Sequence, residues 1–250
     1  MTVSIPETTS RPRRGGVRGL FGFLCALPLA ALPAGIVSAV PAQAADCRSQ
    51  PAPGVDWQDC NKSNIVIRGA NLSGANMTGT DLTLTDLRET RLTGAKLQKA
   101  TLVRSSLAGA DARGADFSRV EAYRTSFARI VATGTNFSNA ELQRADFAGA
   151  ELIDADFEKA ELGRADFKGA IIGGAKFAYA NLSRAHFTDA TINAPIDLTG
   201  AFMFLARVES VDLSAATGLT QAQIDLACGD AETKLPSGLV ASQSWPCSFD

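Results

Sequence analysis

The sequence predicts an all-β solenoid: a parallel β-helix with four flat sides per coil. Three observations predict it: a strict period of five residues, an apolar residue at the centre of each period, and outer residues that separate into distinct sets only at a spacing of twenty. A repeat of five residues is too short to bury an apolar face alone, so successive repeats must stack on one another.

The period of five runs through most of the chain. Every fifth residue from Leu72 to Phe187 is apolar, and the residue two positions before each of them is most often alanine and otherwise Thr, Ser, Val or Ile. The consensus is Ala-(Asp/Asn)-(Leu/Phe)-x-x. In an α-helix a step of five advances about 140° past a full turn, so the apolar residues would spiral around the helix. In a flat strand the odd step would place half of them in water. A chain that turns a corner every five residues avoids both problems.

The outer positions indicate how many sides each coil has. Arginines recur at intervals of twenty, and the positions halfway between them are nearly all glycine. The arginines are Arg104, Arg124, Arg144, Arg164 and Arg184, and the intervening residues are Gly94, Gly114, Gly134, Asp154 and Gly174. A ten-residue coil would mix these two sets, whereas a twenty-residue coil separates them. The spacing therefore predicts four pentapeptides per coil and about seven coils.

These tandem units resemble the pentapeptide-repeat family over roughly residues 65–213. The resemblance implies a right-handed quadrilateral β-helix in which Leu/Phe and the small residue face inward, the other positions face outward, and tight turns form the corners. The segment from Gly218 to Lys234 also resembles a tail found on bacterial members. The resemblance implies the fold more strongly than a function, because many members have no assigned function.

The central phenylalanines are expected to form two stacks on opposite sides of the interior, with aliphatic side chains filling the other two sides. One stack is Phe117, Phe137, Phe157 and Phe177, and the other is Phe127, Phe147, Phe167 and Phe187. Where the central residue shrinks to Ala122 and Ala132, the inward residue two positions earlier grows to Val120 and Ile130. This exchange of volume is typical of a close-packed interior.

Both ends of the repeat are expected to be capped, because a solenoid end exposes unpaired backbone. The predicted organisation is a signal peptide at 1–44, an N-terminal cap at 45–64, the β-helix at 65–215, and a C-terminal helix and cap at 216–250. Pro195 marks a one-residue insertion, after which the central positions resume at Leu198. Thr220 is expected to cap a short helix closed by Gly229. Three apolar residues would help to plug the open end: Leu219, Ile224 and Leu226.

The first 44 residues have the layout of a secretory signal peptide. A basic start around Arg13-Arg14 precedes an apolar stretch from Leu20 to Val40, which ends in the small-x-small sequence Ala42-Gln43-Ala44. The arginine pair also fits the twin-arginine route loosely. An uncleaved membrane anchor is the alternative, but internal prolines favour cleavage. We therefore expect an exported protein, periplasmic or secreted, that has no membrane association after cleavage.

Cysteine usage agrees with export. Cys25 lies in the predicted signal peptide, and the four others fall as one pair near each end of the rest of the chain: Cys47 and Cys60, then Cys228 and Cys247. An even number of cysteines in an exported protein indicates disulfides. Of the three possible connectivities, sequence proximity favours Cys47–Cys60 and Cys228–Cys247. A metal site is the alternative, although neither pair has CxxC spacing and no histidine is near.

Composition excludes several classes of function. The chain has one histidine, which excludes most histidine-based catalysis and multi-histidine metal sites. It has 24 Lys and Arg against 26 Asp and Glu, so no strongly basic surface is available for nucleic acid. We expect no enzymatic activity, no cofactor and no metal. His186 occupies an outward position and is expected to be a solvated residue.

The arginine ladder is the most distinctive surface feature that the sequence predicts. Glu121, Glu141 and Glu161 each lie three residues before an arginine of the ladder. One hypothesis is a lattice of Glu–Arg ion pairs that holds the coils in register. The other is a strip that binds an anionic polymer or a carboxylate-rich surface, since the guanidinium geometry suits both.

The sequence thus predicts an exported, non-enzymatic scaffold that binds an unknown protein or a component of the cell envelope. The alternatives are anionic-ligand binding through the arginine ladder, and DNA mimicry, because some members of the family that the chain resembles bind type II topoisomerases through an acidic rod. Export and the arginine ladder both disfavour mimicry. Because both ends are expected to be capped, we predict a monomer or a weak dimer.

Overall fold

The computed structural model describes residues 45–247. The predicted signal peptide, with Cys25, lies outside the described residues. Within them each pentapeptide forms one flat side and one turn of a solenoid, and helix α1, Gln221–Leu226, is the only α-helix. The parallel β-helix predicted from the sequence is confirmed.

Single-residue parallel bridges, rather than extended strands, join successive coils. Glu121 is bridged to Glu141, and Asp146 to Asp166, each twenty positions along the chain. The N–H of Phe147 donates to the carbonyl of Asp166 at 2.7 Å, and the N–H of Asp146 donates to the carbonyl of Thr125 at 3.0 Å. Each side of the rod is therefore bonded to the coil before it and to the coil after it, with the twenty-residue step that the ladders predicted.

The core contains the two predicted phenylalanine stacks. Phe147 stacks on Phe127 and Phe167 with ring centroids 4.8 and 5.1 Å apart and planes within 5° of parallel. Across the interior it meets Phe137 and Phe157 edge to face, both at 5.7 Å. These are the two geometries that aromatic rings prefer. The compensating residues of the Ala122 and Ala132 region are also buried.

Threonine or serine in the small inward position leaves no polar atom unsatisfied. The hydroxyl of Thr80 donates to the carbonyl of Trp57 at 2.7 Å, and that of Thr135 donates to the carbonyl of Ala112 at 2.7 Å. In residues 45–247 every buried side-chain nitrogen or oxygen has a hydrogen-bond partner. A buried hydroxyl without such a bond would be costly.

The regular winding begins before residue 65, inside the segment predicted as an N-terminal cap. Bridges start at Asp56, and Trp57 fills a central position and is fully buried. Lys62 takes the next central position, with its Nζ 4.0 Å from the centre of the Trp57 ring and donating to the carbonyl of Ser49. Burial lowers the pKa of Lys62. A lysine at a central position breaks the apolar pattern, which is why the period alone does not reveal this coil.

The insertion at Pro195 shifts the register by one residue, as predicted. Lys176 is bridged to Asp197 and Asn181 to Phe202, both 21 positions apart. Leu198 resumes the buried central series. Bridging also continues past residue 215, where the C-terminal cap was predicted to begin, because Cys228 is bridged to Arg207.

The C-terminal cap is joined to the solenoid through Gln223. Thr220 is the N-cap of α1, and its hydroxyl and Gln223 form a reciprocal capping box. The buried Gln223 amide donates to the carbonyls of Leu198 and Ala201 at 2.8 and 3.0 Å. One side chain therefore both starts the helix and satisfies backbone at the end of the rod.

Two details of the predicted cap are wrong. The helix ends at Leu226 with Ala227 as its C-cap, so Gly229 does not close it. Gly229 instead makes room for Trp245, because a Cβ at this position would lie 2.4 Å from the indole ring. Leu226 is 41% exposed and does not plug the end, whereas Ile224 is fully buried.

Disulfides tie both terminal segments to the rod. The structure pairs Cys47 with Cys60 and Cys228 with Cys247, with Cα atoms 5.3 and 5.5 Å apart. This is the connectivity that sequence proximity favours. The indole of Trp245 adds a second attachment by donating to the carbonyl of Ala227 at 2.7 Å.

Candidate binding face

One side of the solenoid carries all five arginines of the predicted ladder, and we call it the arginine face. It consists of the outward residues of one stack of pentapeptides. In each of them the bridged residue, which we call the middle residue, directly precedes the central apolar residue. These middle residues are Asp81, Thr101, Glu121, Glu141, Glu161, Asn181 and Phe202. The arginines occupy the same turn position in five successive coils, with φ between 55° and 61°. The structure therefore places them in a single column.

The spacing along this column follows from the stacking of the coils. Parallel phenylalanine rings in successive coils have centroids 4.8 to 5.1 Å apart between Phe127 and Phe187. This distance matches the separation of paired β-strands. From Arg104 to Arg184 there are four such steps, so the column is about 20 Å long.

The predicted lattice of Glu–Arg ion pairs does not form. Within residues 45–247 none of the five arginines of the column makes an ion pair or a side-chain hydrogen bond. Glu161 instead accepts a hydrogen bond from the amide of Asn181 at 2.8 Å, and the Arg124 guanidinium lies 5.1 Å from the centre of the Tyr123 ring. The physical reason is that an exposed ion pair contributes only about 0–1 kcal/mol, which does not outweigh the freedom of two long side chains.

The backbone conformation at this position favours glycine rather than arginine. A left-handed conformation costs a residue with a Cβ about 1–2 kcal/mol. The opposite side of the rod mainly uses glycine at the equivalent turn, as at Gly114, where φ is 63°. The same left-handed conformation occurs at non-glycine turn residues on other sides of the rod, such as Arg119 and Arg129, so it is a property of the turn and does not single out the arginine face.

Two exposed phenylalanines lie at the C-terminal end of the arginine face. Phe202 and Phe204 are 51% and 41% exposed, and their rings are nearly parallel with centroids 6.3 Å apart. The backbone N–H of Arg184 donates to the carbonyl of Phe204 at 2.8 Å. The two rings therefore belong to the coil directly next to the last arginine.

These rings and the three arginines nearest to them in the column line a shallow groove of about 510 Å³. The side chains that matter for its chemistry are Arg144, Arg164, Arg184, Glu161, Phe202 and Phe204. The two phenylalanines are not among the site residues that the sequence predicts. The available signal was Phe202 itself, because once the shift at Pro195 is applied it stands at a middle position that is otherwise polar on this face.

The arginine face combines arginine with exposed aromatic side chains. Arginine and aromatic side chains are enriched where proteins bind partners. Guanidinium groups offer paired donors to carboxylates, and the two rings offer apolar contact. His186 is exposed on the neighbouring side, bridged to Asp166 and Arg207.

The clearest carboxyl pKa shifts lie off the arginine face. A hydrogen bond from the Arg88 side chain lowers the pKa of Asp86 to about 2. Hydrogen bonds from Ser214 and Lys234 lower the pKa of Asp212 to about 2. Both carboxylates are held by ordinary neighbours on the surface. In residues 45–247 no three His, Cys, Asp or Glu side chains are grouped so as to hold a metal ion.

The described part of the chain also contains no helix of the length and apolar character needed to span a membrane.

Comparison with protein families identifies the repeat. A family model described as a pentapeptide repeat region matches residues 100–177. A second, described as pentapeptide repeats in eight copies, matches residues 54–83 and 165–193. The first of these segments starts close to Asp56, where the bridges begin. A comparison with curated protein sequences gives no significant match.

Several solved structures are similar to this chain. HetL, a pentapeptide-repeat protein from Nostoc sp. strain PCC 7120 involved in regulation of heterocyst differentiation, is 22% identical, with a TM-score of 0.38 over 79% of this chain and 92% of HetL. QnrB1, a plasmid-mediated fluoroquinolone resistance protein, is 18% identical, with a TM-score of 0.37 over 74% of this chain and 84% of QnrB1. A protein of the Arabidopsis thaliana thylakoid lumen is 23% identical, with a TM-score of 0.34 over 47% of this chain and 68% of its own.

Proposed function

Because this chain belongs to the pentapeptide-repeat family, we propose that it is a non-enzymatic binding scaffold whose arginine face engages an anionic partner. The observation that carries the proposal is the column of five arginines, which make no ion pair within residues 45–247 and stand next to two exposed phenylalanines. Proteins of this family generally have structural or interaction roles.

The rod is well suited to present a fixed pattern of charge. Its coils are bonded to one another on every side, and its core rings are stacked and buried. Neighbouring arginines lie one coil apart, which is less than the Debye length of about 8 Å at physiological ionic strength. Their mutual repulsion is relieved when an anion binds, so the column favours ligands with several negative charges.

We also propose that the protein is exported, to the periplasm or the exterior, and that its partner is a protein or a component of the cell envelope. Two features support this proposal. The first 44 residues have the pattern of a signal peptide. The disulfides Cys47–Cys60 and Cys228–Cys247 persist in oxidising compartments.

The test is binding of defined polyanions to the full chain, purified as the host processes it. The probes are fluorescent poly-L-glutamate and fluorescent polygalacturonate, measured by anisotropy at low and at physiological salt. We expect binding that weakens as salt rises. The triple variant Arg124→Gln, Arg144→Gln, Arg164→Gln should bind at least about tenfold more weakly, which corresponds to about 1.4 kcal/mol.

A matched control removes three arginines from other sides of the rod: Arg91→Gln, Arg119→Gln and Arg129→Gln. Arg119 and Arg129 have the same left-handed backbone as the arginines of the column. The control should bind as the unaltered protein does, and circular dichroism should show that both triple variants are folded. Equal loss in the two variants, or no binding of either probe at low salt, would refute the proposal.

A further inference from the structure

We propose that the groove at the C-terminal end of the arginine face is a docking site for an acidic peptide segment of a partner protein, and that this segment also carries a large apolar side chain. The inference rests on the proposed function and deepens it, since it names the chemistry of the partner and the part of the face that selects it.

The charge of the groove calls for carboxylates. Arg144, Arg164 and Arg184 line it, against a single acidic side chain, Glu161. Glu161 accepts a hydrogen bond from the neutral amide of Asn181 and keeps its negative charge, so three arginines against one glutamate leave the groove with an excess of positive charge. Three guanidiniums without ion pairs in the described chain can each bind a carboxylate through two parallel N–H donors.

The apolar end of the groove calls for a large side chain on the same ligand. Phe202 and Phe204 present two nearly parallel rings to solvent at the end of the groove. Exposed apolar surface that adjoins charged groups is typical of protein interaction sites. A peptide combines carboxylates and a large apolar side chain on one chain, whereas a uronate polymer repeats its charge on every ring.

The length of the groove sets the length of the segment. Arg144 lies three coils from the coil of Phe202 and Phe204, and with rings stacked 4.8 to 5.1 Å apart this is about 15 Å. An extended peptide rises about 3.3 Å per residue. The segment therefore needs about five residues, with its large apolar side chain at one end and its carboxylates in the rest.

The apolar end of the groove depends on the insertion at Pro195, because both phenylalanines that line it follow the insertion. The shift of one residue places Phe202 at the middle position of the coil that follows Asn181. The other half of the arginine face carries Arg104 and Arg124, which do not line the groove. That half supplies an internal control with the same charge and the same backbone conformation.

The experiment is selection from a random peptide display library on the full purified chain. We expect enriched peptides to carry at least two Asp or Glu and one aromatic or large aliphatic residue within about five positions. One enriched peptide, labelled with a fluorophore, is then titrated against three variants by anisotropy. Binding should weaken at least about tenfold in Phe202→Ser/Phe204→Ser and in Arg144→Gln/Arg184→Gln, and less than about twofold in Arg104→Gln/Arg124→Gln.

Each other outcome overturns the inference in a distinguishable way. If binding depends on the arginines but not on the phenylalanines, or if polygalacturonate binds through the arginines while no peptide is enriched, the occupant is not an apolar acidic segment and the proposed function stands. If sedimentation velocity shows a dimer that Arg144→Gln/Arg184→Gln dissociates, and no peptide is enriched, the occupant is a second copy of this chain. If neither arginines nor phenylalanines affect any binding, the proposed function fails as well.

Discussion

Replacing Phe147 with alanine should destabilise the solenoid by about 5 kcal/mol. Truncation of a buried phenylalanine to alanine ordinarily costs about 3–5 kcal/mol. Phe147 is fully buried and contacts four other rings, two stacked and two edge to face. Each such pair contributes about 0.5–1.5 kcal/mol beyond the buried area.

The cavity cannot close easily, which places the expected cost at the upper end of the range. The backbone of Phe147 is bonded to the coils on both sides of it through its own N–H and that of Asp146. Those bonds set the separation of Phe127 and Phe167, so the neighbouring rings cannot collapse into the space without breaking them.

The measurement is chemical denaturation followed by far-ultraviolet circular dichroism, with the denaturant slope checked because repeat proteins can lose two-state behaviour. Phe202→Ala is the matched control: its ring is 51% exposed on the surface, and its loss should change the free energy of unfolding by less than about 1 kcal/mol. A Phe147→Ala protein within about 1 kcal/mol of the unaltered one would refute the stacked core.

Three further predictions concern other contacts. Arg88 lowers the pKa of Asp86 to about 2, so the stability from this pair is present above pH 4 and is lost as the pH falls toward 2; the melting temperature of Asp86→Asn should fall less steeply over that range. Gly229→Ala should cost about 1–3 kcal/mol and change the tryptophan fluorescence, because the new Cβ would meet Trp245 at 2.4 Å. Thr135→Val should cost about 1 kcal/mol in denaturant unfolding, because it removes a buried hydrogen bond.

Matched controls make these three predictions testable. Asp197→Asn changes another outward carboxylate and should leave the slope of melting temperature against pH steeper than Asp86→Asn does; equal slopes would contradict the first prediction. Gly163→Ala should be nearly neutral, since its Cβ would have its closest contact at 3.5 Å, and equal effects at Gly229 would contradict the second. Thr191 is exposed, so Thr191→Val should have little effect; a similar cost at Thr135 would contradict the third.

The architecture could be predicted from the sequence because a repeat of five residues is too short to bury its apolar side chains without stacking on other repeats. A period of five excludes both the helix and the flat strand, and the spacing of Arg124 and Arg144 sets the coil at twenty residues. The inward direction of Phe147 and the register shift at Pro195 follow from the same count. These features are local, because the position of a residue within its own pentapeptide determines whether it faces inward or outward.

The ends of the rod were harder to predict because the five-residue pattern of apolar central residues does not continue there. Lys62 stands at a central position beside Trp57, and only the folded chain shows that its amine lies over the indole ring. At the other end the sequence is compatible with Gly229 as the residue that closes the helix. Only the folded chain shows that the position lacks a side chain because Trp245 packs against it.

The period, the four-sided coil and the column of arginines follow from the order of the residues, because stacking repeats the same arrangement in each pentapeptide. What those arginines contact depends on the folded chain. Ion pairing between Arg144 and Glu141 is a weak, exposed interaction whose outcome depends on side-chain geometry, not on spacing. The groove likewise exists only when the chain is wound, since Phe202 and Arg164 are far apart in sequence and meet because one coil lies on another.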